Sequence, residues 1–152
     1  MIEPGIWRLP VDHTHHLAAS AGALSFVGGA GDFDATGRIR NASDLVKQID
    51  GAIPNLDAAL AAESCGLADI VRLRAFFTAG EGEADDWDVI AALARHFPDD
   101  PLPCISTLPV PLQPFAGQSI QLQAIAERGW RDMADVRVAT RPVPAARRDL
   151  LD

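Results

Sequence analysis

The segment 119–126 constrains the fold of this chain more than any other, because its residues alternate in character. The apolar positions are Ile120, Leu122, Ala124 and Ala126, and the positions between them are Gln121, Gln123 and Ile125. Side chains of a β-strand point alternately to the two faces of a sheet, so the pattern predicts a strand with one apolar and one mixed face. Helices that cover the apolar face would give an α+β fold with a single sheet.

Further segments supply the rest of that fold. Strands are expected over 18–27, 70–78 and 104–109, and helices over about 43–63 and 85–97. In the first helix, Ser43 is the expected N-cap, Pro54 should kink the axis, and Gly66 should mark the stop. Asp32 and Asp34 are expected in the turn after the first strand. The helices should cover one face of the sheet, and the mixed face must then be covered by something else.

Composition limits the class of protein. The chain has 152 residues, of which 48% are hydrophobic, so one domain can bury a core without disulfides or metal. Thirteen basic against 21 acidic residues give a net charge of −8, which repels a phosphate backbone and argues against nucleic acid as a partner. Cys65 and Cys104 lie far apart and show no zinc or disulfide spacing, which predicts reduced thiols in the cytoplasm.

The two ends of the chain carry different signals. The N-terminus has Glu3 where a secretory signal needs positive charge, and no segment has the ~20 apolar residues of a membrane span, so we expect a protein that stays in the cytoplasm without membrane contact. After Gly129, arginines and prolines predict an extended basic tail. The expected organisation is therefore one domain over 1–128 and a C-terminal extension over 129–152.

Several short motifs together resemble the Rid (reactive intermediate deaminase, YjgF-like) family. They are Phe26-Val27-Gly28-Gly29, Asp34-Ala35-Thr36-Gly37, Asn55-Leu56 with Leu60, Gly66-Leu67-Ala68-Asp69-Ile70-Val71, and Pro103-Cys104-Ile105-Ser106-Thr107 followed by the strand at 119–126. The resemblance implies a chorismate-mutase-like homotrimer whose open sheet faces pack against sister subunits, with small-molecule clefts between subunits. It also implies hydrolysis of enamines or imines without a cofactor or a metal.

The resemblance implies a mechanism whose charged groups are absent from this chain. In the family, an arginine grips the substrate carboxylate and a glutamate positions the attacking water, a division of labour that suits both groups. Here Ile105 stands at the arginine position and Gln121 at the glutamate position. The family's cleft asparagine falls at Ile90, whereas Gly28, which leaves room for a ligand, is kept. The usual deaminase mechanism cannot be transferred.

Two arginines could replace the lost cation. Arg72 and Arg74 share one face of the predicted strand at 70–78, opposite Leu73 and Ala75. They would form either structural ion pairs or a displaced anion clamp, since guanidinium serves both purposes.

Cysteine and histidine candidates complete the set. Cys104 lies beside Ile105 and has no basic neighbour to activate its thiol, so we expect a buried structural cysteine, with a nucleophile as the alternative. His13, His15 and His16 surround Thr14, where the family's cleft-lining loop falls. These histidines could be solvated, could supply a polar or acid–base group to the cleft, or could bind a metal, although no partner ligand is spaced for a metal.

Two functions remain open at the level of sequence. The first is a divergent Rid-type hydrolase that acts on a C–N bond of a small metabolite. Its catalytic candidates are His15, His16 and Gln121, and its substrate-binding candidates are Thr14, Gly28, Arg72, Arg74, Ile90, Cys104, Ile105 and Thr107. The second is a non-catalytic trimer that binds a small ligand or acts as a scaffold. A pocket with convergent polar groups would favour the first, and a cleft filled by Ile105, Ile90 and Val27 would favour the second.

Overall fold

A computed structural model describes residues 16–78, 86–99 and 101–139. The elements are β1 (Ala18–Ala21), β2 (Leu24–Ala30), α1 (Leu45–Ala61), β3 (Ile70–Phe77), α2 (Asp86–Ala94), β4 (Cys104–Pro109) and β5 (Ile120–Glu127), with 3-10 turns at Leu67–Asp69 and Trp130–Asp132. The strands form one five-stranded sheet in the order β1-β2-β5-β3-β4. The α+β class and the two helices expected from the sequence are confirmed. No described helix is long and apolar enough to cross a membrane.

The sheet is antiparallel except for its last pair. β3 and β4 run parallel and are separated in the chain by α2, whereas β5 pairs antiparallel with both β2 and β3. Every second residue of β5 is buried, beginning with Ile120, as the alternation predicts. These residues form a single apolar core with the buried residues of α1 and α2. The helices therefore cover the face of the sheet that the apolar stripe marks.

The opposite face of the sheet, here called the open face, has no covering layer in the single chain. Strand register places Arg74 beside Gln123 and Phe76 beside Gln121 on this face. The same register places three large apolar side chains on this face, and they are partly exposed: Leu24 by 37%, Phe26 by 41% and Leu108 by 38%. The mixed composition predicted for this face is therefore confirmed.

The predicted first strand is in fact a hairpin. β1 and β2 pair antiparallel from Ala21 and Leu24 outward, which leaves Gly22 and Ala23 as a two-residue turn. Gly22 has a φ of +63°, in the left-handed region that glycine adopts without steric cost. The prediction of a single strand over 18–27 was therefore wrong, because one glycine between small residues is enough to reverse the chain.

The boundaries of α1 also differ from the prediction. Asp44, not Ser43, is the N-cap, and its carboxylate accepts a 3.1 Å hydrogen bond from the backbone N–H of Lys47. Ser43 has a φ of 62°, which leaves the extended N-cap conformation to Asp44. The hydrogen bonds and the ion pair with Lys47 lower the pKa of Asp44 below its usual value. At the other end the left-handed residue after the helix is Ser64 with a φ of 59°, not Gly66.

Asp32 lies at a bend in the loop after β2, and its side chain is buried there. Its Oδ1 accepts from Arg40 Nε at 2.7 Å, and its Oδ2 accepts from the backbone N–H and the side-chain Nδ2 of Asn41 at 3.0 and 2.7 Å. Gln48 of α1 is also buried and donates to the carbonyls of Asn41 and Gly117. This network ties the loop after β2 to the start of α1 and to the approach to β5. Asp34, by contrast, lies in a turn as expected, where hydrogen bonds from Thr36 lower its pKa.

The segment after β5 begins more compactly than a free tail. Trp130 is buried, its indole Nε1 donates to the carbonyl of Ala68, and the N–H of Gly129 donates to Asp69 at 2.8 Å. The division into a domain over 1–128 and an extension over 129–152 stays a prediction, and most of that extension lies outside the described residues.

Candidate functional site

The site begins at an irregularity in β2. Val27 pairs with Ala124 and Ala30 with Leu122, so three steps along β2 correspond to two steps along β5. Such a β-bulge bends the strand and redirects neighbouring side chains. The N–H of Gly28 bonds to the carbonyl of Leu17, which holds the segment before β1 against the bulge.

A cavity of about 300 Å³, here called the bulge pocket, opens beside this irregularity. Its lining residues are His16, Leu17, Gly28, Gly29, Gly31, Phe33, Pro114, Phe115, Gln118 and Gln121. Phe33 and Phe115 form an edge-to-face pair with ring centroids 5.4 Å apart. The walls of the bulge pocket are therefore mainly apolar, with His16, Gln118 and Gln121 as its polar side chains.

Gln121 owes its place in the bulge pocket to a neighbouring glycine. A Cβ atom on Gly29 would lie 3.1 Å from Gln121 Cδ and 3.3 Å from Gln121 Cγ, and closer still to the amide nitrogen. Real Cβ atoms essentially never approach below 3.0 Å, so any other residue at position 29 would force Gln121 to move. The motif Gly28-Gly29 therefore shapes this side of the bulge pocket.

Gln118 brings an unsatisfied acceptor to the bulge pocket. Its Nε2 donates to the carbonyl of Ile120 at 3.0 Å, and this bond determines which end of the amide is the oxygen. Gln118 is only 7% exposed, and its Oε1 has no hydrogen-bond partner within the described part of the chain. Because an unpaired buried polar atom costs free energy, a donor that reaches Gln118 Oε1 would stabilise the protein.

The electrostatic character of the bulge pocket follows from its lining. His16 is exposed and is the ionisable residue among the lining residues, which include no lysine, arginine, aspartate or glutamate. Histidine can change protonation state near neutral pH and can therefore carry a proton. The lining has no permanent cation to pair with a buried carboxylate. Among the described residues, no group of three or more histidine, cysteine, aspartate or glutamate side chains could hold a metal.

Arg72 and Arg74 lie in a different depression, here called the arginine pocket. It has a volume of about 240 Å³ and lies on the open face against Phe26, Gln123 and Ile125. Gly28 contributes to both cavities, so the two adjoin at the β2 bulge. The two arginines therefore do not share a cavity with His16 and Gln121 in the single chain.

The remaining predicted residues divide between the sheet faces. Ile105 pairs with Leu73 and Thr107 with Ala75, so both point to the helix side, and Ile105 packs against the core. Neither residue lines either cavity, and Ile90 on α2 does not do so either. Thr14, His13 and His15 lie outside the described residues.

The expectation of a buried Cys104 was wrong. Cys104 is exposed and Cys65 is buried, because Cys104 lies on the edge strand β4 and shares the open face with Arg72. Cys65 instead lies 3.3 Å from the Ser25 hydroxyl in the core. Sequence reasoning missed Gln118, Phe33 and Phe115, and only the repeated glycines near Phe33 could have indicated a cavity there.

Comparison with solved structures places this fold among those of RidA and YjgF proteins. RidA from the Antarctic bacterium Psychrobacter sp. superposes with a TM-score of 0.63 at 22% identity, covering 78% of this chain and 93% of that chain. E. coli TdcF with bound serine superposes with a TM-score of 0.64 at 21% identity, covering 81% and 98%. A member of the YjgF/YER057c/UK114 family from Mycobacterium tuberculosis gives a TM-score of 0.59 at 24% identity, covering 73% and 84%.

These likenesses establish the class of the fold. The resemblance to the Rid family carried by the sequence motifs is confirmed by the structural matches, which span most of each relative. No protein-family model matches the chain, and no curated protein matches it significantly. At such low identity, activity does not follow from the fold.

Proposed function

We propose that this chain is a divergent Rid-type protein that binds a small C–N metabolite in the bulge pocket and hydrolyses its imine or enamine form. The observation that carries the proposal is the meeting of His16, Gln118 and Gln121 in one mainly apolar cavity. The serine bound to E. coli TdcF supports a small-molecule ligand for this class of fold.

The chemistry assigns one role to each polar group. As the water oxygen bonds to the C=N carbon, the π electrons pass to the nitrogen, and neutral His16 takes a proton from the water and gives it to that nitrogen. His16 then takes the hydroxyl proton of the resulting carbinolamine and returns it to the nitrogen as the C–N bond breaks, which leaves a carbonyl and a free amine. Gln121 accepts a hydrogen bond from the attacking water and orients it. Gln118 Oε1 accepts a hydrogen bond from an N–H or O–H of the substrate.

The lining of the bulge pocket favours a neutral, partly aromatic substrate. Phe33 and Phe115 provide an apolar surface, and the lining has no lysine or arginine to pair with a carboxylate. Burying an unpaired carboxylate there would cost at least several kcal/mol. We therefore expect the small amino-acid-derived imines handled by ordinary Rid enzymes to be poor substrates.

We further propose that two copies of the chain complete each cleft in a homotrimer. Thr107 and Ile105 point to the helix side of the sheet, whereas Gln121 points to the open face, so these positions cannot meet within one subunit. The exposed Leu24 and Leu108 lie on the open face outside the arginine pocket and give it apolar area that a second copy would bury. Light scattering should give three times the mass of the chain, and a monomer at micromolar concentration would refute this assembly.

The catalytic proposal is tested by comparing two imines. Amine release from an N-methyl aromatic imine should exceed release from 2-iminopropanoate. His16→Ala should slow turnover of the aromatic imine by ~10²-fold or more, as expected for loss of a general acid–base group. His96→Ala is the matched control, because His96 lies on the surface beside Asp50 and should leave turnover unchanged. Equal losses in both histidine variants, or full activity in His16→Ala, would refute the assignment.

A non-catalytic ligand-binding role is the alternative, favoured by the absence of any carboxylate or cation from the bulge-pocket lining. Under this alternative the aromatic imine, or its stable amine analogue, would bind with an affinity sensitive to Gln118→Leu but would not be hydrolysed. NMR titration with the amine analogue measures binding, and amine release from the aromatic imine measures turnover. Binding without amine release would support the alternative alone.

A further inference from the structure

The arginine pocket contains two positive charges that have no role in the hydrolysis proposed above. Arg72 and Arg74 are both half-buried and line it together with Gln123. Phe26 and Ile125 form the apolar wall beside them. The arginine pocket adjoins the bulge pocket at Gly28. The two cavities differ in charge, because the arginine pocket has two arginines whereas His16 is the ionisable residue in the lining of the bulge pocket.

Neither guanidinium has a hydrogen bond or an ion pair with any residue that the structure describes. By comparison, Arg40 pairs with Asp32 and Arg95 with Asp50. Among the described residues, Glu127 shares the open face, but it forms no ion pair with Arg72 or Arg74.

The geometry suits one ligand that carries two negative charges. Arg72 and Arg74 are two positions apart on β3, so their Cα atoms are ~6–7 Å apart and their side chains leave the same face. Gln123 lies directly beside Arg74 in the register and can offer its amide as a further donor. Guanidinium groups bind carboxylate and phosphate oxygens in pairs, and a neighbouring apolar wall strengthens such contacts by reducing solvent screening.

We propose that the arginine pocket is a binding site for a small dianion, either a phosphoryl group or a dicarboxylate, separate from the ligand site in the bulge pocket. Arg72 and Arg74 each bind one part of the anion, and Gln123 donates a hydrogen bond to it. The site does not depend on catalysis at His16, so it can be tested whether or not the proposed hydrolysis is correct.

The test is calorimetric titration of the full chain at constant ionic strength. Inorganic phosphate and succinate are the two probes that distinguish the possible anions, and acetate is the monoanion control. We expect at least one dianion to bind at least tenfold more tightly than acetate. Arg72→Gln and Arg74→Gln should each weaken that binding at least tenfold. Arg137→Gln is the matched control, since Arg137 is exposed and lies outside both cavities.

A second measurement locates the contact. The side-chain Nε–Hε NMR signals of Arg72 and Arg74 should shift on addition of the dianion, while that of Arg137 should not. Equal binding of acetate and the dianions, or equal weakening by all three variants, would overturn the proposal. It would also be overturned if neither dianion bound. Dissociation of an oligomer by the Arg72 and Arg74 variants would then show that the arginines pair with a second copy of the chain.

Discussion

Replacing Gly51 with alanine should destabilise the protein, although the usual effect of this change in a helix is the opposite. Gly51 lies within α1, and alanine is ~1 kcal/mol more favourable than glycine in a helix interior. Here a Cβ atom would lie 2.5 Å from Asp32 Cγ and even closer to Oδ1. The missing side chain at position 51 therefore provides the space for a buried carboxylate.

The magnitude follows from how firmly Asp32 is held. Arg40 and Asn41 bind both of its oxygens at 2.7 to 3.0 Å, so the carboxylate cannot move away without losing charge-assisted hydrogen bonds. Such bonds contribute about 1.5–3 kcal/mol each, and overpacking costs about 1–3 kcal/mol, which together exceed the helix-propensity gain. We expect Gly51→Ala to lower the free energy of unfolding by ~2 kcal/mol or more.

Urea denaturation at 25 °C measures this free energy. A double-mutant cycle with Asp32→Ala separates the steric clash from the helix effect, because removing the carboxylate leaves room for the new methyl group. In the Asp32→Ala background, Gly51→Ala should be neutral or stabilising. A Gly51→Ala protein as stable as the parent chain, or additive effects of the two substitutions, would refute the reasoning.

Two further predictions concern the bulge pocket and the start of α1. Gly29→Ala should shift the side-chain amide NMR signals of Gln121, whereas Gly28→Ala should not, since its Cβ would meet nothing nearer than the Leu17 carbonyl at 3.9 Å. Because the folded state lowers the pKa of Asp44, its N-cap contribution is present above about pH 4 and is lost as the pH falls through the folded value. Acid titration of stability should therefore be shallower in Asp44→Ala, and an unchanged profile would contradict the proposed cap.

The elements with strong periodicity could be predicted from the sequence. β3, β4 and β5 begin and end within two residues of the expected positions, because alternation of apolar residues reports directly on a sheet with one buried face. The helices were also found, but the ends of α1 were not, since Ser43 and Asp44 are both good caps and only the backbone conformation chooses between them. The β1–β2 turn was missed because Gly22 lies in a run of small residues with little pattern.

The candidate site was predicted only in part, for a physical reason. His16, Gly28 and Gln121 do meet in one cavity, whereas Arg72 and Arg74 lie in a second one and Ile105 faces the opposite side of the sheet. The sequence of one strand shows which of its side chains point to the same face of the sheet. Which strands are neighbours, and where a bulge shifts their register, depends on contacts between residues far apart in the chain.

The sequence by itself determined the fold class and the apolar face of the sheet, because each is a property of local residue type and spacing. The tertiary structure alone decided that Asp32 is buried, that Cys104 is exposed on an edge strand and that Gln118 has an unsatisfied acceptor. Burial of a polar group depends on whether distant residues supply its hydrogen bonds. Arg40 and Asn41 supply them for Asp32, and no described residue does so for Gln118 Oε1.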